Sequence, residues 1–288
     1  MMERTVIAGD HRLHLGSRTL VMGVVNATPD SFSGDGLDNP AAAADRALGM
    51  VAAGADSIDV GGESTRPHSQ PIPVEEELAR VLPVIRAVRA RVSVPLSIDS
   101  RHAAVADAGV AAGASMVNDI WGLRADPEMA EVVARRGVAV VAMHNQRHAF
   151  YADLITDVGA GLEESLAIAR SAGVPSDRII LDPGFGFGKT PAHNVELIRR
   201  LAELTSLGFP LLVGASRKST IGALLDGAPV DTRLEGGLAL AILACAAGAD
   251  IVRVHDVAET VRALRVADAV VRATPAHISR LGTPGPTG

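Results

Sequence analysis

The sequence predicts an α/β protein that folds as a TIM (β/α)8 barrel with an N-terminal β-hairpin. Short aliphatic runs alternate with Ala-rich amphipathic stretches, which is the pattern of repeated β-α units. Three amphipathic stretches end in the same Ala-Gly-Ala sequence just before the next aliphatic run, at residues 53–55, 112–114 and 247–249. Eight such units close a barrel, while a doubly wound open sheet is the alternative that the pattern leaves open.

Eight aliphatic runs are predicted as the barrel strands. They are Leu20–Asn26, Ser57–Gly61, Pro95–Asp99, Ser115–Asp119, Ala139–His144, Arg178–Asp182, Pro210–Ala215 and Ile251–His255. The amphipathic stretches between them, and one after the last, are predicted as helices near 40–53, 74–91, 101–112, 126–136, 157–172, 191–207, 235–247 and 256–273.

The two ends of the chain differ from this repeat. Residues 1–19 are predicted to form a hairpin extension, because two short apolar runs flank Gly9-Asp10, and the barrel is predicted over 20–273. The Pro/Gly/Thr-rich tail, 274–288, is predicted to be disordered. The connections 27–39 and 62–73 are long for a compact barrel, which favours functional loops.

Composition excludes several classes of protein. The chain has 288 residues, of which 48% are hydrophobic and 2% aromatic, and a formal net charge of −6. This charge argues against a nucleic-acid or anionic-membrane partner. The single cysteine, Cys245, excludes an intramolecular disulfide and a multi-cysteine metal cluster. Since there is no signal peptide and no apolar run of about 20 residues, we expect a cytoplasmic location.

Polar residues gather at the carboxyl ends of the predicted strands, where barrel enzymes keep their active sites. Asp99, Asn118 and Asp182 offer acceptors to a ligand rich in N–H groups, and Lys218 adds a compact cationic donor. Together they predict a site for a flat heterocycle that has amino and oxo edges.

A second group suits a phosphorylated ligand. Arg253 and His255 share one face of the last strand, and Asn26 ends the strand that neighbours it once the barrel closes. A cation, a titratable donor and a neutral oxygen ligand predict a diphosphate and Mg²⁺ site. The Gly-rich segment 184–190 imitates a nucleotide-binding loop, but its first Gly is one residue too close to Gly188-Lys189.

Long motifs give these residues a family context. Met22-Gly-Val-Val-Asn-Ala-Thr-Pro-Asp-Ser-Phe-Ser33 and Asp59-Val-Gly-Gly-Glu-Ser-Thr-Arg-Pro67 resemble the two signatures of the dihydropteroate synthases. Shorter segments resemble that family in order and spacing, from about residue 20 to 272. They are Ser97-Ile-Asp99, Val117-Asn-Asp-Ile120, Ala142-Met-His144, Asp182-Pro-Gly-Phe-Gly-Phe-Gly-Lys189, Gly214-Ala-Ser-Arg-Lys218 and Val252-Arg-Val-His-Asp256.

The resemblance implies that p-aminobenzoate displaces diphosphate from (7,8-dihydropterin-6-yl)methyl diphosphate, by an SN1-like route, to give 7,8-dihydropteroate. It also implies a cytoplasmic homodimer that uses Mg²⁺. Carried over to this chain, the pterin would be bound by Asp99, Asn118, Asp182 and Lys218, and Mg²⁺ by Asn26. The diphosphate would be bound by Thr65, Arg253 and His255. The aminobenzoate pocket would be shaped by Arg66, Pro67, Phe187 and Ser219, with the loop that carries Phe32.

Two other functions stay open on the sequence. A pterin-binding methyltransferase domain shares the barrel and much of the pterin pocket, although the motifs around Lys218 and Arg253 favour diphosphate chemistry. A non-catalytic pterin-binding paralogue is the second alternative. It stays open because loop one reads Gly34-Asp35 where the family usually has Asp-Gly.

Overall fold

The computed structural model describes residues 3–27, 39–63 and 72–272. Two antiparallel strands precede eight parallel ones. The antiparallel pair is β1 (Arg4–Ala8) and β2 (His11–Leu15). The parallel strands are β3 (Leu20–Asn26), β4 (Ser57–Gly61), β5 (Leu96–Asp99), β6 (Met116–Asp119), β7 (Ala139–Met143), β8 (Ile179–Asp182), β9 (Leu212–Val213) and β10 (Ile251–Val254).

The eight parallel strands close into a barrel. Their hydrogen-bonded order is β8-β7-β6-β5-β4-β3-β10-β9. The remaining gap is spanned by a parallel bridge between Leu181 and Leu211, with the Leu181 amide donating to the Pro210 carbonyl at 2.9 Å. An open doubly wound sheet would keep two separate edges, so the predicted barrel is confirmed and the open-sheet alternative is wrong.

Helices surround this barrel. They are α1 (Pro40–Ala52), α2 (Val74–Arg89), α3 (Ala103–Ala111), α4 (Met129–Arg136), α5 (Leu154–Ser171), α6 (Pro191–Arg199), α7 (Ser219–Leu224), α8 (Leu234–Ala246) and α9 (Val257–Val271). Asn39 caps α1 through its side chain, and Asp153 does the same for α5.

The structure changes two predicted elements most and adds one α-helix. The helix predicted over 191–207 ends at Arg199, and a 3-10 helix continues over Leu201–Leu207, because Arg200 leaves the helical backbone with φ −108° and ψ 11°. The strand predicted over Pro210–Ala215 shortens to β9, since Pro210 has no N–H for the ladder. The short helix α7 was not predicted from the sequence.

The hairpin closes the amino-terminal end of the barrel. Val6, Leu13 and Leu15 are buried in an apolar cluster that also holds the strand residues Met116 and Ile180. A separate and larger apolar core fills the layer between strands and helices. The hairpin leaves the carboxyl-terminal end of the barrel uncovered, and the polar site described below lies at that end, which we call the mouth.

One part of the outer surface is apolar. On α8 Leu243 is 53% exposed, and on the adjacent α9 Val266 and Val270 are 68% and 79% exposed. We call this the α8–α9 surface. Within the described ranges, no helix combines the length and apolar character needed to cross a lipid bilayer.

Candidate active site

Strand register aligns the predicted site residues at the barrel mouth. Asn26 lies opposite Gly61, Gly61 opposite Asp99, and Asp99 opposite Asn118, which makes one continuous row across β3 to β6. Parallel strands place such partners at the same height, so this row forms one side of the mouth. Asp182 extends the rim at the end of β8.

Arg253 joins this row through a buried ion network. Its Nε donates to Asp59 Oδ2 at 2.6 Å, and its Nη2 donates to Asp99 Oδ2 at 2.8 Å. The Asn118 amide donates to the same Asp59 oxygen at 3.0 Å. Burial raises the pKa of Asp99, and the charge of Arg253 opposes that rise. Arg253, which the sequence assigned to the diphosphate, therefore contacts carboxylates in the pterin part of the site.

Asp59 is a site residue that the predicted ligand set missed. Its side chain is completely buried and holds both Arg253 and Asn118. A charged residue in the middle of the apolar strand Ser57–Gly61 was the signal that could have found it, because a buried carboxylate requires a partner.

The other side of the mouth contains Lys218 and Asp182. Asp182 accepts a hydrogen bond from the Gly184 amide at 2.7 Å. The Lys218 ammonium donates to the carbonyl of Phe185 and lies 4.2 Å from the centroid of the Phe187 ring. Burial lowers the pKa of Lys218 to about 7, although the charge of Asp182 opposes this shift. Burial also raises the pKa of Asp182.

His255 directly follows β10, and its ring lies next to Ser216, in the segment after β9. Its Nδ1 is 3.2 Å from the Ser216 hydroxyl, and its backbone N–H donates to the same hydroxyl oxygen. Burial, with the charges of Arg253 and Arg217, lowers the pKa of His255 to about 3. The imidazole is therefore neutral at physiological pH and is a hydrogen-bond donor or acceptor rather than a cation.

The remaining predicted residues divide into two groups. Ser219 begins α7 and is exposed, and Phe187 is half-buried in the turn after β8. Thr65, Arg66 and Pro67, together with the loop that carries Phe32 and Gly34-Asp35, lie outside the described residues.

Comparisons with known proteins identify the family. Residues 22–255 match the family model described as "Pterin binding enzyme". A dihydropteroate synthase of Bacillus subtilis is 45% identical over 261 residues, which are 90% of this chain and 91% of that protein. One of Clostridium beijerinckii is 44% identical over 266 residues, which are 92% and 98% of the two chains. This chain belongs to the dihydropteroate synthase family.

Solved structures of dihydropteroate synthases share the fold. The Xanthomonas albilineans enzyme with 4-aminobenzoic acid is 43% identical and superimposes with a TM-score of 0.90, covering 95% of this chain and all of that one. The same enzyme in complex with 7,8-dihydropteroate gives a TM-score of 0.86 at 43% identity, covering 94% and 100%. These relatives do not support the methyltransferase alternative.

Proposed function

We infer that this protein catalyses the dihydropteroate synthase reaction of folate biosynthesis. It joins (7,8-dihydropterin-6-yl)methyl diphosphate to p-aminobenzoate and releases diphosphate and 7,8-dihydropteroate. The observation that carries the inference is the shared barrel mouth, where the buried Asp99, Asn118 and Asp182 lie with the half-buried Lys218 and Arg253. Ligands named for the structural relatives, 4-aminobenzoic acid and 7,8-dihydropteroate, support the same substrates.

The buried acceptors suit the edge of a pterin ring. Asp99, Asn118 and Asp182 would accept hydrogen bonds from its ring and amino N–H groups, and Lys218 would donate to its oxo or ring nitrogen atoms. The two carboxylates also favour positive charge on the ring. That preference matters because an SN1-like route develops positive charge at the pterin methylene as the diphosphate leaves.

Departure of the diphosphate requires cations and donors close to the leaving oxygen. Arg253 would stabilise it by charge, and neutral His255, next to Ser216, would donate a hydrogen bond. Thr65 would add a hydroxyl donor. The aniline nitrogen of p-aminobenzoate is a weak nucleophile, so its placement by Phe187, Ser219, Arg66 and Pro67 counts for more than prior deprotonation.

Mg²⁺ is part of the proposal, with Asn26 as its protein ligand. The chemistry of the site fits this ion, because the Asn26 carboxamide offers a hard oxygen ligand and is partly exposed at the end of β3. Mg²⁺ needs few protein ligands when substrate phosphates and water supply the others. When bound, Mg²⁺ would neutralise part of the diphosphate charge.

A homodimer in the cytoplasm completes the proposal. The α8–α9 surface supports the dimer, because exposed aliphatic side chains on two adjacent helices favour association with a second copy. Sedimentation analysis of the native chain and of Val270→Asp tests this point. We expect a dimer for the native chain and a monomer for the variant.

A turnover assay tests the function. The purified chain is incubated with the pterin diphosphate, p-aminobenzoate and Mg²⁺, and diphosphate release is measured with each substrate omitted in turn. We expect release only when both substrates are present. Pterin binding without release would indicate a non-catalytic paralogue, and methyl transfer from a methylated folate to a corrinoid would indicate the methyltransferase.

A further inference from the structure

Lysine is almost absent from this chain. Of its 27 basic Lys and Arg residues, only Lys189 and Lys218 are lysines. All the remaining basic residues are arginines. Wherever a positive charge alone is sufficient, this chain therefore has arginine. Both lysines contact the same short segment, the Gly184–Gly188 turn between β8 and α6.

The two lysines hold the turn from different directions. Lys218 donates to the carbonyl of Phe185, and Lys189 donates to the carbonyl of Phe187 at 3.2 Å. The Lys189 Nζ also lies 3.0 Å from Nδ1 of His144, and the Tyr151 hydroxyl donates to the carbonyl of Gly188 at 2.9 Å. Side-chain donors from outside the turn therefore bind three of its carbonyl oxygens.

The turn depends on these outside contacts for its shape. Gly184, Gly186 and Gly188 all have positive φ, at +74°, +82° and +55°. Glycine-rich segments have many alternative conformations, so a single conformation must be fixed by hydrogen bonds and packing. The shape matters because the turn carries Phe187, whose ring contacts the Lys218 ammonium.

The position of Lys189 suits an ammonium better than a guanidinium. One nitrogen atom bonds both His144 Nδ1 and the Phe187 carbonyl, whereas a guanidinium is planar and spreads its donors over a wider fork. Burial, with the charges of Lys189 and Arg124, lowers the pKa of His144 to about 3, so its ring is neutral and its Nδ1 is an acceptor for Lys189.

We propose that Lys189 is a positioning residue for p-aminobenzoate. It fixes the Gly184–Gly188 turn so that Phe187 forms the aminobenzoate pocket and Phe185 presents its carbonyl to Lys218. The inference rests on the synthase reaction proposed above. Its effect is on the affinity for the second substrate and requires the single, compact nitrogen donor of a lysine side chain.

Steady-state kinetics of Lys189→Met and Lys189→Arg test the proposal. We expect the KM for p-aminobenzoate to rise about tenfold or more in both variants, with a smaller change in kcat and an unchanged circular dichroism spectrum. Arg147→Met, which removes an exposed cation from the neighbouring loop, is the control and keeps the native KM. A KM within twofold of the native value in Lys189→Met, or full rescue by arginine, overturns the proposal.

A spectroscopic measurement on the native chain keeps the test valid even if a variant fails to fold. Labelling with ¹³Cε-lysine gives two side-chain signals, one for each lysine, and Lys218→Arg assigns them. We expect the Lys189 signal to shift when p-aminobenzoate is added to the enzyme with pterin and diphosphate. A Lys189 signal that does not move refutes the positioning role. An inactive native chain, in contrast, would refute the proposed reaction itself.

Discussion

The buried ion pair between Asp59 and Arg253 gives the sharpest prediction. Asp59→Asn keeps the size of the side chain but removes its charge. Arg253 Nε and the Asn118 amide both donate to the same oxygen of Asp59, at 2.6 and 3.0 Å. In the variant these two donors share a neutral amide, which is a weaker acceptor, and Arg253 keeps Asp99 as its one ion-pair partner among the described residues.

The expected loss of stability is measurable but moderate, because Arg253 retains Asp99 as a partner and is 19% exposed. Weakening a buried, charged hydrogen-bond acceptor that serves two donors costs about 1–3 kcal/mol. For a chain of this size each kcal/mol lowers Tm by about 2–4 °C, so Tm falls on the order of 5 °C. Misplacement of Arg253 and Asn118 also lowers kcat/KM for the pterin diphosphate, by about 100-fold if about 3 kcal/mol of transition-state stabilisation is lost.

Urea unfolding, thermal melting and kinetics measure these effects, with Asp107→Asn as the matched control. Asp107 also accepts hydrogen bonds from two arginines, at 2.8 Å, but it lies on α3 at the surface and its partners lie on α4. Exposed ion pairs are screened by water, so the control loses much less stability and no activity. If Asp59→Asn is no less stable and no less active than Asp107→Asn, burial is not what gives this ion pair its strength.

Three other predictions concern the mouth and its turn. Lys218→Ala abolishes most turnover, and near-normal kcat/KM in the variant would exclude the role. Burial lowers the pKa values of both Lys218 and Lys189 to about 7, so native kcat/KM falls as the pH rises through 7 and these ammonium groups lose their protons. Asn26→Ala raises the Mg²⁺ concentration needed for half-maximal activity, and an unchanged Mg²⁺ titration would remove Asn26 from the site. Gly184→Ala lowers the free energy of unfolding much more than Gly227→Ala does. Both glycines have positive φ, so the backbone strain is similar in the two variants. A Cβ on Gly184 would lie 1.9 Å from the carbonyl oxygen of His144, whereas a Cβ on Gly227 meets nothing within 4 Å. Equal urea midpoints for the two glycine variants would contradict this.

The sequence predicted the barrel because its signals are local and repeated. Each strand is a short aliphatic run, each helix has an apolar face, and closure follows when eight units are present. The errors lie where tertiary contacts override the local pattern. The segment 191–207 has helical character throughout, yet Arg200 forms ion pairs with Asp153, Glu196 and Glu203 and the helix ends there.

The sequence placed the site residues at the right strand ends but could not give their pairing. Asp99 and Arg253 were assigned to different parts of the substrate, although 154 positions apart they share a hydrogen bond of 2.8 Å. Such pairing depends on side-chain rotamers and on closure between β3 and β10, which no sequence spacing encodes. Lys189 was read as part of a failed nucleotide-binding motif, and its contact with His144 requires the fold to bring the two loops together.

The shared position of Arg253 suggests how the two halves of the pterin diphosphate are bound together. Arg253 forms ion pairs with both Asp59 and Asp99. With the roles proposed above, a pterin ring would bring N–H donors to Asp99, and a diphosphate would bring negative charge to Arg253. Each half of the substrate would then replace the partner that the other half displaces. Because a buried carboxylate and a partly buried guanidinium are both costly without partners, the exchange would favour binding of both halves at once over either alone. The same coupling would return Arg253 to Asp99 as the products leave, which restores its ion pairs with both carboxylates.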